Sequence, residues 1–196
     1  MAVSVTMSYA LELRQRFTAI QNRYDLIGFH NGAETRLGYA EQKRFSLKEK
    51  VTFFADDAKT QIVFTMGARN VLELAATYDI CDATGASLAT LKKNFKSSLL
   101  RSTYELTTAD GRQLICQERK MWRAILRRLT DDIPLPMQFD VLQDGNVLVT
   151  VDRAFKLRDV YKVSVQDDAL DWRVAAAVAV ASDAFMPTRV PRGGRR

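Results

Sequence analysis

With 196 residues, 47% of them hydrophobic and 27% charged, the chain is long enough to bury an ordinary core without disulfide or metal support. Its two cysteines, Cys81 and Cys116, lack CxxC spacing, and its single histidine is His30, which excludes a disulfide scaffold and a His/Cys metal cluster. The net charge of +6 is uneven: Arg189, Arg192, Arg195 and Arg196 lie in an acid-free end, and without them the rest carries +2. A body so close to neutral disfavours nucleic acid as the partner.

The start, MAVSVTMSYALELRQRF, has no basic stretch followed by a continuous apolar one, so no signal peptide and a reducing, cytoplasmic compartment are expected. SYALELRQRF reads as a short helix or as the lead into the first strand, and strand character is taken from about Gln15. Tyr24-Asp25-Leu26, followed by Asn31-Gly32, has the form of a degraded repeat whose clearer copies come later. Val51 and Phe53 alternate, as do Ile62, Phe64 and Met66, the mark of strands buried on one side.

Tyr78-Asp79-Ile80 leads to a turn at Thr84-Gly85 and then Leu88. Tyr104-Glu105-Leu106 leads to Asp110-Gly111 and then Leu114, with an offset of 26 residues throughout. Phe139-Asp140-Val141, Asp144-Gly145 and Val147 form a looser third copy. Glycine in each turn supplies positive φ without steric cost, the hairpin signal. Val147, Val149 and Val151 form another alternating row, and Tyr161, Val163 and Val165 the next. Ten to twelve such strands predict an all-β sandwich or barrel.

Two segments break this rhythm. In Met121–Leu129, the residues Trp122, Ile125, Leu126 and Leu129 fall on one helical face, with Arg123, Arg127 and Arg128 elsewhere; Asp131, Asp132, Pro134 and Pro136 end it. The segment from Asp168 to Met186 is predicted as a helix, with Asp167, Asp168 or Asp171 as its cap and Pro187 as its stop. Val174 to Ala181 has no polar face, so this helix must be buried. Its uncharged run from Val174 to Ser182 is far short of the roughly 20 residues a bilayer span needs, so the curled sheet is its natural site. The expected organisation is one barrel domain over 1–186 and a disordered basic tail over 187–196.

Several stretches carry a family resemblance: Glu41-Gln42-Lys43-Arg44-Phe45 with Val51-Thr52-Phe53, Tyr78-Asp79-Ile80 with Gly85, and Leu91-Lys92-Lys93-Asn94-Phe95. Ser98 to Thr103, Arg158-Asp159-Val160-Tyr161 and Asp171-Trp172-Arg173-Val174 continue it. In order and spacing, over about residues 11–186, the chain resembles the LURP-one-related and phospholipid-scramblase-like branch of the tubby C-terminal-like superfamily, found in bacteria and plants. The resemblance implies a closed antiparallel barrel of about twelve strands threaded by the C-terminal helix. It also implies contact with phospholipid, because tubby domains bind phosphoinositide head groups through basic surface residues. Scramblase relatives add a membrane segment and an acidic calcium-binding stretch; this sequence has neither, so lipid flipping is not implied.

Catalysis finds little support: there is no GxSxG, HExxH or P-loop pattern. Asp56-Asp57, Asp131-Asp132 and Asp167-Asp168 sit at turns or helix ends, where acids have structural reasons to be. No enzyme activity, cofactor or metal is expected, and a helix filling the barrel would leave no large pocket inside it. Two basic groups remain. Arg119, Lys120, Arg123, Arg127 and Arg128 surround Trp122, a composition suited to an anionic lipid interface or to a barrel plug with solvated arginines. Lys92, Lys93, Lys96 and Arg101 surround Phe95, Leu99 and Leu100, either as a head-group site or as a charged rim. The expected function is a non-enzymatic module at an anionic phospholipid surface, peripheral to the membrane; the alternative is a soluble protein-interaction or structural domain. Patches at opposite ends of the barrel would argue against a single docking face.

Overall fold

The computed structural model describes residues 9–17, 21–30, 33–43, 50–69, 77–94, 103–119, 138–154 and 160–184. Among them are twelve strands and one helix: β1 (Tyr9–Phe17), β2 (Gln21–His30), β3 (Ala33–Lys43), β4 (Val51–Phe54), β5 (Ile62–Ala68) and β6 (Thr77–Asp82). There follow β7 (Ser87–Lys93), β8 (Thr103–Thr108), β9 (Gln113–Glu118), β10 (Gln138–Gln143), β11 (Asn146–Ala154), β12 (Val160–Val165) and α1 (Trp172–Ala184). Each strand pairs antiparallel with its sequence neighbours, and β1 closes the barrel on β12 through Leu11 opposite Val163 and Leu13 opposite Tyr161.

The repeated turns are built alike. Asp82 and Thr108, 26 residues apart, close their turns alike: Asp82 N donates to Ala86 O at 2.9 Å and Thr108 N to Arg112 O at 3.1 Å, and the side-chain oxygen of each accepts the N–H of that same residue. Gly85 and Gly111 sit at φ of 90° and 86°. At the third copy, Asp144 and Gly145 have φ of 50° and 83°, the two-residue turn whose twist matches the flanking strands.

Alternation then fills the interior. Leu13, Leu26, Phe53, Phe64, Ile80, Leu106, Val141, Val149 and Val165 all point inward and are buried. Phe53 stacks on Phe64 at 3.8 Å between ring centroids. Helix α1 runs down the middle, and every residue from Val174 to Ala181 is at most 1% exposed. Its alanines let the wall approach closely, which is why the all-round apolar stretch from Val174 to Ala181 fits there.

Three expectations are corrected. Strand β1 begins at Tyr9, not near Gln15, because Tyr9, Leu11 and Leu13 already alternate against β12. Ile62 does not join the row of Phe64 and Met66; a register shift at Phe53/Phe54 puts it opposite Phe54 and leaves it 40% exposed. The helix starts at Trp172 rather than Asp168, since Asp167 to Leu170 is spent on a turn in which Asp167 accepts from Ala169 N and Leu170 N. Asp171 is the cap, its Oδ1 accepting from Arg173 N at 2.8 Å. The expected helix at Met121–Leu129 and the tail from Pro187 lie outside the described residues.

Up-and-down topology sorts the connections into two sets. The turns β2–β3, β4–β5, β6–β7, β8–β9, β10–β11 and β12–α1 share the rim where α1 enters. The connections β1–β2, β3–β4, β5–β6, β7–β8, β9–β10 and β11–β12 join strands that end at the opposite, far rim.

Candidate functional site

The composition of the connecting segments differs between the two sets. The entry-rim connections, residues 31–32, 55–61, 83–86, 109–112, 144–145 and 166–171, contain seven acidic and two basic residues. The far-rim connections, residues 18–20, 44–50, 69–76, 94–102, 119–137 and 155–159, contain thirteen basic and five acidic residues. In sequence, Lys96 and Arg101 fall in the β7–β8 connection and Arg119, Lys120, Arg123, Arg127 and Arg128 in the β9–β10 connection, and both connections join strands that end at the far rim. Strands β7, β8 and β9 are consecutive in the sheet, with Lys93 opposite Tyr104 and Tyr104 opposite Cys116.

Of the ten basic and aromatic candidates, three are described. Lys92 is exposed and Lys93 half-buried; they end β7, and Lys92 faces Glu105 across the ladder. Arg119 follows β9 directly. Lys96, Arg101, Lys120, Trp122, Arg123, Arg127 and Arg128 lie outside the described residues.

Arg119 is committed to carboxylates. Its Nε donates to both oxygens of Asp140 at 2.8 and 3.0 Å, its Nη2 lies 2.7 Å from Asp140 Oδ1, and its Nη1 reaches Asp152 Oδ1 at 3.1 Å. Gln138 Nε2 donates to the same Asp152 oxygen at 2.8 Å. The Asp140 side chain is only 10% exposed, and its hydrogen bonds raise the guanidinium's affinity for its proton above the ordinary arginine range. This clamp repeats. Arg69 holds Asp79 at 2.6 and 3.0 Å, Asn94 donates to Glu105 at 2.8 Å, and Arg16 pairs with Asp25. In three of the four, the residue after a strand also donates its backbone N–H to the residue two before that acid: Arg69 to Thr77, Asn94 to Thr103, Arg119 to Gln138. The acid of each repeated aromatic-acid-aliphatic motif thus faces outward and ties down the far-rim end of the preceding strand.

The entry rim is organised differently. Arg112 donates to Gln143 Oε1 at 2.7 Å and pairs with Asp167, tying the β8–β9 turn and β10 to the loop that leads into α1. Tyr9 Oη donates to the carbonyl of Leu170 at 2.6 Å from the other side. Burial and the nearby carboxylates of Asp171 and Asp167 hold this phenol protonated well beyond its usual range. Between these anchors opens a cavity of about 750 Å³, lined by β1, β2, β3, the start of β5 and residues 168–173. It lies at the mouth of the barrel, outside the helix-filled interior.

Elsewhere the chemistry is quiet. Cys116 is buried, and desolvation pushes its thiol up to about 12, which keeps it protonated and unreactive. Cys81 is half-buried and His30 is exposed at the end of β2. Hydrogen bonds from the Thr60 and Thr84 side chains and backbone hold Asp56 and Asp82 below the usual carboxylate range, as turn-capping acids. Among the described residues no cluster of three potential metal ligands occurs, and no helix is long and apolar enough to cross a membrane.

A family model described as LURP-one-related matches residues 37–183, from the middle of β3 to the last turn of α1. The chain belongs to the LURP-one-related family. The match takes in both basic connections, the three clear repeats and the buried helix, so the charge division described above lies almost wholly inside the LURP-one-related domain. No curated protein and no solved structure matches the chain.

Proposed function

We propose that this LURP-one-related barrel is a non-enzymatic binding module that rests its far rim on anionic phospholipid, as a peripheral protein of the cytoplasmic membrane face. What supports the reading is the division of charge between the connecting segments, thirteen basic residues against five acidic in those that join strands at the far rim, and seven acidic against two basic in those at the entry rim. A charged end of this kind orients a protein in the field of an anionic surface before any contact is made. The resemblance to the tubby and scramblase-like branch points the same way. Arg119, Arg69 and Asn94 hold the rim together in this scheme, and Lys92, Lys93, Lys96, Arg101, Lys120, Arg123, Arg127 and Arg128 supply the charge. Trp122 supplies an amphipathic ring for the interface. At about 1 kcal/mol per basic residue near an anionic leaflet, five or six engaged side chains give an affinity of roughly tens to hundreds of micromolar.

Co-sedimentation with vesicles tests this. The protein is expected to pellet with phosphatidylserine-containing vesicles at low salt, to be released as salt is raised, and to stay in solution with phosphatidylcholine alone. Replacing Arg123, Arg127 and Arg128 together by alanine should abolish most of the pelleting. Failure to pellet on anionic vesicles at low salt refutes the proposal.

A further inference from the structure

We infer that the entry-rim cavity is a binding site for a small organic cation with an apolar body, of the arylalkylammonium type. It stands apart from the lipid reading, since it uses the opposite end of the barrel. At about 750 Å³ the cavity has the size of small-molecule sites. Its apolar surface is constructed by specific local features. Leu37 is the extra residue of a bulge in β3, where Leu26 faces Gly38 but Ile27 faces Arg36. Such a bulge re-aims one side chain, and here it lays Leu37 over Gly28, where an added Cβ would come within 2.9 Å of Leu37 Cδ1. Trp172 is held edge-on to Phe64 at 5.9 Å, and Leu37, Val63, Tyr9 and Trp172 are all only partly covered by the core. Tyr9 has its hydroxyl spent on the Leu170 carbonyl, so its ring serves as apolar wall.

Charge decides which apolar ligand fits. Arg173, which also lines the cavity, is neutralised by Asp171 through contacts of 2.6 and 3.1 Å. Asp171 in turn caps α1, so the helix N-terminus offers no vacancy for an anion. Asp168 lines the lip, is exposed, and has no hydrogen bond or ion pair among the described residues. An ammonium group at that lip gains the Asp168 carboxylate as partner, at a rim whose connections carry seven acidic and two basic residues, and the aromatic ring of Trp172. A carboxylate ligand would meet the same rim with the wrong sign.

The test is an NMR titration of the full chain with 4-phenylbutylamine and, in parallel, 4-phenylbutyrate. The protein has two tryptophans, Trp122 and Trp172, so Trp122→Phe assigns the indole N–H resonances unambiguously. The amine is expected to shift the Trp172 resonance saturably, and the carboxylate to bind at least about fivefold more weakly. Asp168→Asn, at an exposed position, should weaken the amine about fivefold without changing the melting temperature, and Ala169→Phe should fill the cavity and abolish the shift. Equal binding of amine and carboxylate overturns the inference. So does the lack of a saturable Trp172 shift up to about 5 mM amine, or an Asp168→Asn protein that binds as well as the parent.

Discussion

Ala177 sits halfway along α1 with no exposed surface, among Ala175, Ala176, Val178 and Ala179, and the inward side chains of the barrel wall surround it. Ala177→Asp adds three heavy atoms to a close-packed centre, which costs about 1–3 kcal/mol by overpacking. The carboxyl also loses its hydration with no hydrogen-bond partner in an apolar core, a further cost of about 2–7 kcal/mol. The group will stay protonated at neutral pH, which limits the penalty to that of a neutral acid. Together these come to about 3–10 kcal/mol, against a total stability of about 5–15 kcal/mol for a domain. Guanidinium titration followed by far-UV circular dichroism is the assay, with Ala177→Ser as a milder control expected to lose about 1–3 kcal/mol. The pH dependence has a definite sign. A carboxyl whose folded pKa is raised above its unfolded value near 3.9 loses stability as pH rises through that interval, so the variant should be relatively better folded at pH 4 than at pH 7. An Ala177→Asp protein that is monomeric, folded and unfolds at the parent midpoint would refute the placement of α1 in the core.

Other substitutions probe the wall. Gly38 has φ of 144°, and a Cβ there would lie 2.2 Å from the Phe54 carbonyl oxygen, so Gly38→Ala must push β4 off β3 and should cost about 2–4 kcal/mol in a denaturant midpoint measurement. Arg119→Ala strips the partner from the largely buried Asp140 and should cost about 1–3 kcal/mol; because the pair is partly exposed, the lower half of that range is expected. Cys116, with its thiol pushed up to about 12, should resist alkylation at pH 8 in the native protein and react only on unfolding; full labelling of the folded state would contradict its burial.

Much of this architecture is legible in the residues. The offset of 26 between Tyr78 and Tyr104 is a real repeat because Asp82 and Thr108 close the same turn, and Asp144-Gly145 forms the tight hairpin its sequence suggests. The apolar circumference of Val174 to Ala181 could only mean burial, and the short run could only mean burial in protein. The meaning of the repeated acid was harder to read. Asp79, Glu105 and Asp140 stand out in the sequence, but their partners Arg69, Asn94 and Arg119 are identified by cross-strand register, which no local pattern reveals. The entry-rim cavity is illegible in the sequence for a similar reason: it depends on a bulge at Leu37 and on Gly28 in the facing strand. The division of charge between the two sets of connections needs only the up-and-down connectivity, yet it is hidden in the composition because the opposite signs partly cancel.

In the proposed orientation the far rim faces the membrane and the entry rim faces away. Depth-dependent quenching measures this most directly. In a Cys81→Ser background with Cys116 buried, a fluorophore at Lys92→Cys reports the far rim and one at Thr84→Cys the entry rim. On phosphatidylserine vesicles carrying quencher-labelled lipid, the Lys92 probe should be strongly quenched and the Thr84 probe left as in solution. Stronger quenching at Thr84 than at Lys92, or equal quenching at both, would contradict docking through the basic rim.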